Sequence, residues 1–89
     1  MNKSICVVGA GYWGKNHIKT LSQLNVLRGI VEQDKATLKM FLNKYPGVNG
    51  HSKIEEALLK DYDGYTIATP AKTHFEIAKT IINAQKMFS

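Results

Sequence analysis

Ile5-Cys6-Val7-Val8-Gly9-Ala10-Gly11-Tyr12-Trp13-Gly14 decides the fold. An apolar run passes into three glycines spaced G-x-G-x-x-G, and a stretch of helical periodicity follows at once. Strand, glycine turn, helix is the order in which a chain cradles the pyrophosphate of a dinucleotide. Each glycine has a mechanical task. Gly9 lets the chain turn sharply out of the strand. Gly11 carries no Cβ, so a phosphate can approach its backbone. Gly14 lets the helix pack tightly on the sheet. The helix then turns its unpaired N–H groups and the positive end of its dipole toward the phosphates. Tyr12 and Trp13 fill the positions between the second and third glycines. Their rings can cover the pyrophosphate or pack against a neighbouring loop.

Outward from this turn, strands and helices alternate. The first strand covers about Ser4 to Val8 and the first helix runs from near Gly11 to about Leu24. Trp13, His17, Leu21 and Leu24 approximate its apolar stripe, with Ile18 alongside, and Asn25 stops it. A second strand, Leu27 to Val31, leads into Glu32. Asp34 is the expected N-cap of a second helix, Lys35 to Lys44, whose Leu38, Phe41, Leu42 and Tyr45 fall on one face. Pro46-Gly47 ends it. Val48 to His51 reads as a weak strand, at most an edge. Ser52-Lys53-Ile54-Glu55 matches a capping box before a short helix, Lys53 to Lys60. A turn at Asp61-Tyr62-Asp63-Gly64 precedes a fourth strand, Tyr65 to Ala68. Thr73-His74-Phe75-Glu76 matches a second capping box, and the helix behind it reaches about Ala84. Met87 to Ser89 is room for no more than the beginning of a fifth strand.

This alternation predicts an α/β fold with a parallel sheet, right-handed crossovers and helices on both faces. The expected strand order is 3-2-1-4, with a fifth strand absent or barely begun. A ligand crevice then lies at the C-terminal ends of strands one and four, where the order reverses. Three loops meet there: Gly9 to Gly14, Glu32 to Asp34, and Thr69 to His74.

The chain has 89 residues, which suits one small domain and falls short of a full doubly wound one. No apolar run approaches the ~20 residues of a membrane span. Met1 to Ser4 leads directly into the first strand, so no secretory leader is expected. Cys6 is the only cysteine and sits within a core strand. These features predict a cytoplasmic protein with neither membrane nor internal disulfide. The formal charge is +5, yet the lysines are dispersed over polar helix faces, and no compact basic block points to nucleic acid. One cysteine and three scattered histidines offer no metal site.

Glu32 is the first candidate for recognition. It stands 18 residues beyond Gly14 by the numbering, close to the ~20 expected of the acid that binds an adenosine ribose. A carboxylate there accepts hydrogen bonds from both ribose hydroxyls and repels a 2′-phosphate. Glu32-Gln33-Asp34 holds no arginine to receive that phosphate, so NAD is expected over NADP. Thr69-Pro70 is the second candidate. Proline ends strand four at the crevice, where the backbone can line the cofactor or simply terminate the strand. His74 is the third. It opens a helix beside the crevice, able to touch ribose or substrate, or to be merely exposed. His17 and His51 are expected to be structural or exposed.

Taken together, Val8-Gly9-Ala10-Gly11-Tyr12-Trp13-Gly14-Lys15-Asn16-His17, Val31-Glu32 and Ala68-Thr69-Pro70-Ala71-Lys72-Thr73-His74 resemble the N-terminal domain of the glucose–fructose oxidoreductase and inositol dehydrogenase family (Gfo/Idh/MocA). The tryptophan in the glycine loop and the Thr-Pro-x-x-x-His segment are more telling than the glycines. The resemblance covers essentially the whole chain. It implies a Rossmann-like cofactor domain and an NAD(P)-dependent oxidoreductase that moves hydride to or from a carbon of a sugar or sugar nucleotide. It also implies a Glu-Lys-Pro motif a few residues past Ser89, whose lysine is catalytic, and a C-terminal substrate domain.

Neither the motif nor that domain occurs within these 89 residues. Residues 1–89 are therefore expected to form a partial dinucleotide-binding domain without a catalytic residue. Neither Lys72 nor Lys86 sits in the motif. A sugar-type substrate is expected only of a longer protein. The alternative is a non-catalytic module, or a truncated gene product, that binds NAD without turnover. An unpaired sheet edge near Ser89 would favour self-association.

Overall fold

The computed structural model describes residues 3–68 and 76–83, with the side chains of Tyr12 and Trp13 outside the description. Its elements are β1 (Ile5–Val8), α1 (Tyr12–Gln23), β2 (Leu27–Val31), α2 (Lys35–Lys44), β3 (Asn49–His51), α3 (Ile54–Leu58) and β4 (Gly64–Ile67). Residues 76–83 form a further helix, α4. The strands make one sheet in the order β3-β2-β1-β4, every neighbouring pair parallel. The expected fold class and strand order are those observed.

Strand alternation sorts the core into two layers. Val7 and Ile30 point to the face covered by α1 and α2, where Ile18, Leu27 and Phe41 complete a buried cluster. Cys6, Val8 and Val31 point to the opposite face and pack with Ala57 of α3, Tyr62 and Ile77 of α4. Cys6 is fully buried, and burial pushes its thiol up to about 12. It is therefore a small core residue and not a thiolate at neutral pH. The N-terminal ends of β1 and β4 are clasped together. Ser4 donates its N–H to the Asp63 carboxylate at 2.7 Å, and Asp63 returns its own N–H to the Ser4 carbonyl at 2.8 Å.

Three local expectations need correction. The stripe on α1 is not Trp13–His17–Leu21–Leu24. His17 is exposed and Leu24 lies largely in solvent, while Gly14 and Ile18 are buried and Leu21 is half-buried. The contact is made by a glycine, which hydrophobic periodicity does not register. Helix α3 is shorter than expected, and its cap is displaced by one residue. Lys53 occupies the N-cap, and Glu56, not Glu55, reaches back to the Ser52 N–H at 3.0 Å. Finally, Tyr62 is not part of an open turn but is buried against the sheet. Asp61 turns the chain with a positive φ of 55°, which drives the tyrosine inward.

Candidate functional site

The C-terminal ends of β1 and β2 lie side by side, and the site is built from the two loops that leave them. Gly9 adopts a φ of 96°, a conformation open to glycine at little cost. Its N–H still bonds the Val31 carbonyl at 2.7 Å, so the turn begins tied to β2. Gly11 is the N-cap of α1 and offers no side-chain cap. The first intrahelical bond runs from Lys15 N–H to the Gly11 carbonyl at 3.0 Å. The amides of Tyr12, Trp13 and Gly14 thus have no acceptor within the helix. With no acidic side chain in the first turn, the positive helix end is not neutralised from within α1.

Two of the glycines have opposite reasons to be glycine. A Cβ at Gly14 would stand 1.8 Å from the Gly9 carbonyl oxygen and 2.7 Å from its carbon. The fold itself forbids a side chain there. A Cβ at Gly11 would meet nothing within 4 Å, and its φ of −79° suits any residue. The fold imposes no glycine at Gly11. Gly11 immediately precedes the first-turn amides of α1, the kind of helix end that binds phosphates.

Glu32 completes the cradle. It is half-buried at the end of β2, and its Oε1 accepts the Ala10 N–H at 2.9 Å. Its Oε2 accepts the Asp34 N–H, also at 2.9 Å. Its own N–H donates to the His51 carbonyl at 2.9 Å. The carboxylate therefore links the glycine turn to the β2 loop in a fixed orientation. A carboxylate has about four acceptor sites, so capacity for two ribose hydroxyls remains. Asp34 caps α2 as expected, accepting the N–H of Thr37 at 3.0 Å and its hydroxyl. The Thr37 hydroxyl, followed by its amide, holds the Asp34 carboxyl below its ordinary value. Arg28 lies on β2, but its guanidinium serves the Leu27 and Asn25 carbonyls at the far end of that strand.

The structure thus brings together Gly9, Gly11, Gly14 and Glu32, with Tyr12 and Trp13 placed by their backbone in the first turn of α1. Ala68 follows β4 into the same crevice, its N–H on the Val8 carbonyl at 2.9 Å. Thr69, Pro70 and His74 lie outside the described residues, as do Lys72 and any fifth strand. The backbone amides of Ala10 and Asp34 and the carbonyl of His51 escape sequence reasoning because any residue type supplies them. Gly29 is an overlooked signal. A glycine inside a strand marks a close approach, and here a Cβ would stand 2.5 Å from the Tyr62 ring. Among the described residues no cluster of three His, Cys, Asp or Glu could hold a metal, and no helix is long and apolar enough to cross a membrane.

Comparison with known proteins agrees with this geometry. Residues 3–88 match the model of the oxidoreductase family with an NAD-binding Rossmann fold. UDP-N-acetylglucosamine 3-dehydrogenase of Acidithiobacillus ferrooxidans is 25% identical over 83 residues, which cover 88% of this chain and 24% of that protein. GenD2 from gentamicin A biosynthesis, solved in complex with NAD, superposes with a TM-score of 0.84 at 29% identity, covering 93% of this chain and 24% of the other. The WlbA dehydrogenase of Bordetella pertussis, solved with NADH and UDP-GlcNAcA, shares the fold with a TM-score of 0.83 at 24% identity, over 93% and 26% of the two chains. The chain spans about a quarter of the length of each of these relatives.

Proposed function

The chain belongs to the oxidoreductase family with an NAD-binding Rossmann fold, and from that premise we propose that it is the cofactor-holding portion of a dehydrogenase acting on a sugar or sugar-nucleotide carbon. One observation carries the cofactor half of this reading. Gly11 is free of any steric demand from the protein, yet it fronts the open amides of α1. Glu32, clamped at the end of β2, stands where the adenosine ribose would lie. The sugar half draws support from the similarity to a UDP-N-acetylglucosamine 3-dehydrogenase.

In this reading Tyr12, Trp13 and Gly14 donate backbone N–H groups to the pyrophosphate. The dipole of α1 favours its charge, and Glu32 accepts the ribose hydroxyls. Glu32 also repels a 2′-phosphate that Arg28, spent elsewhere, cannot receive. When bound, the nicotinamide of NAD accepts or releases the hydride, and the protein supplies orientation and electrostatics. The described residues hold the dinucleotide. The substrate contacts and the proton-transferring group are assigned to parts of the family's fold beyond this chain.

Titration with NADH, followed by energy transfer from the sole tryptophan, Trp13, tests the cofactor half. Saturable quenching is expected. Gly11→Ala should leave the melting temperature unchanged and weaken NADH about tenfold or more, since a methyl group would occupy the phosphate's place, a loss of about 1.4 kcal/mol. A folded wild-type chain that ignores millimolar NADH sinks the reading. The reading frame beyond codon 89 tests the chemical half. A Glu-Lys-Pro motif within a few codons supports a dehydrogenase, whereas unrelated sequence there removes the catalytic assignment.

A further inference from the structure

The acid that faces the ribose in this reading is tied through its backbone to a short strand at the edge of the sheet. Glu32 N–H is bonded to the carbonyl of His51, the last residue of β3. That strand is three residues long and lies at the edge of the sheet, paired among the described residues with β2 alone. Asn49 and Gly50 are exposed. Gly50 packs closely against Leu42 of α2 and the strand is laddered to β2, yet a short edge strand is the part of a sheet that opens first.

A buried side-chain bond adds to that hold. His51 is the buried polar residue of the core at 6% exposure, and its Nε2 lies 2.8 Å from the Tyr62 hydroxyl. Tyr62 follows α3, on the other side of β2. It reaches β3 because Gly29 leaves room for its ring beneath the backbone of β2. Edge-to-face contacts with His51 at 5.9 Å and Tyr65 at 6.0 Å fix the ring plane. The charged groups near His51 are Glu56 and Lys60: burial favours the neutral imidazole, Glu56 opposes it less strongly, and Lys60 adds to the effect of burial.

We propose that Tyr62, acting through His51, is a positioning residue for Glu32 and so sets how tightly the site holds the adenosine ribose of NAD. The connection is continuous: Tyr62 hydroxyl to His51 ring, His51 carbonyl to Glu32 N–H, Glu32 carboxylate to the Ala10 N–H of the glycine turn. The inference rests on the cofactor reading above. Neither Tyr62 nor His51 is placed against the dinucleotide, so their influence on it passes through Glu32.

The test is a double-mutant cycle on the 89-residue chain, read by NADH and NADPH titration. Tyr62→Phe removes one oxygen and keeps the ring. It should weaken NADH about three- to tenfold and narrow the NADH-over-NADPH preference by a similar factor. In a Glu32→Gln background the same change should cost nothing further, since effects that act through one residue do not add. His51→Gln, which keeps a hydrogen-bonding group toward Tyr62, should restore most of the affinity that His51→Leu loses. Amide exchange at Glu32 should accelerate in Tyr62→Phe, a readout that needs no ligand. If wild-type chain binds NADH and Tyr62→Phe binds it equally, or loses the same factor in both backgrounds, the positioning role is wrong and the cofactor reading stands. If wild type and Gly11→Ala both fail to bind while folded, the cofactor reading fails and takes this inference with it.

Discussion

Gly14→Ala should unfold this protein or nearly so. The usual sign of the substitution is the reverse: alanine inside a helix is worth up to about 1 kcal/mol over glycine. Here that gain is small beside the steric cost. The new methyl would stand 1.8 Å from the Gly9 carbonyl oxygen, against a backbone that has no rotamer with which to retreat. Relief requires α1 to lift from β1 by more than an ångström. Ile18, fully buried one turn along the same face, would then leave its contact with Val7 and Ile30.

Breaking that layer is expected to cost about 3 kcal/mol or more. A chain of 89 residues belongs at the low end of the usual range of total stability, about 5 kcal/mol, so a large unfolded fraction follows. Urea denaturation followed by far-ultraviolet circular dichroism measures it, with Gly11→Ala as the control that adds the same methyl in open space. A Gly14→Ala midpoint within about 1 kcal/mol of wild type would show that the turn yields more easily than its geometry states.

The contrast between these two glycines marks what a sequence does and does not disclose. The G-x-G-x-x-G spacing assigns both to one motif, and the alternation around it is sufficient for strand order and layers, because apolar period and turn residues are properties of single segments. Which glycine is demanded by packing and which is not depends on where Gly9 and the open crevice lie, and only the folded chain places them. The stripe on α1 is misjudged for a related reason. Its central contact is the bare Cα of Gly14, invisible to a count of apolar side chains. At α3, Ser52 and Glu55 match the capping spacing, but the chain enters one residue later and Glu56 takes the role.

Glu32 stands out in the sequence as the expected ribose acid through its distance to Gly14. Its grip on Ala10 and Asp34 is not, since backbone donors carry no residue signature. Tyr62 is the deepest omission. It lies between two aspartates in what reads as a polar turn, and the space that receives it is created by Gly29, more than thirty positions earlier.

Glu32→Ala should weaken NADH binding by about a hundredfold, a loss of about 2.7 kcal/mol, and invert or abolish the preference over NADPH. Two effects combine. The ribose hydroxyls lose a charged acceptor, and the glycine turn loses its tie to the β2 loop. The second effect reaches folding as well. Ala10 is buried, so its N–H, bonded to Glu32 at 2.9 Å, has no ready replacement in water. An orphaned buried donor costs about 1–3 kcal/mol. The Asp34 N–H is exposed and can turn to solvent at little expense.

That asymmetry makes Glu32→Gln the informative partner. Its amide oxygen can keep the Ala10 bond while its NH2 group faces the exposed Asp34 amide. Stability should therefore return to within about 1 kcal/mol of wild type, because only the dispensable bond is lost. Affinity should not return in the same measure. A neutral amide offers one acceptor where the ribose needs two, and it no longer repels a 2′-phosphate. NADH should stay about tenfold weaker than wild type, with NADPH correspondingly favoured. Parallel melts and titrations of the two variants separate the roles. If affinity simply tracks stability through both substitutions, Glu32 is a structural clasp that happens to lie beside the crevice. If Gln restores the fold but not the selectivity, the same carboxylate shapes the turn and reads the ribose.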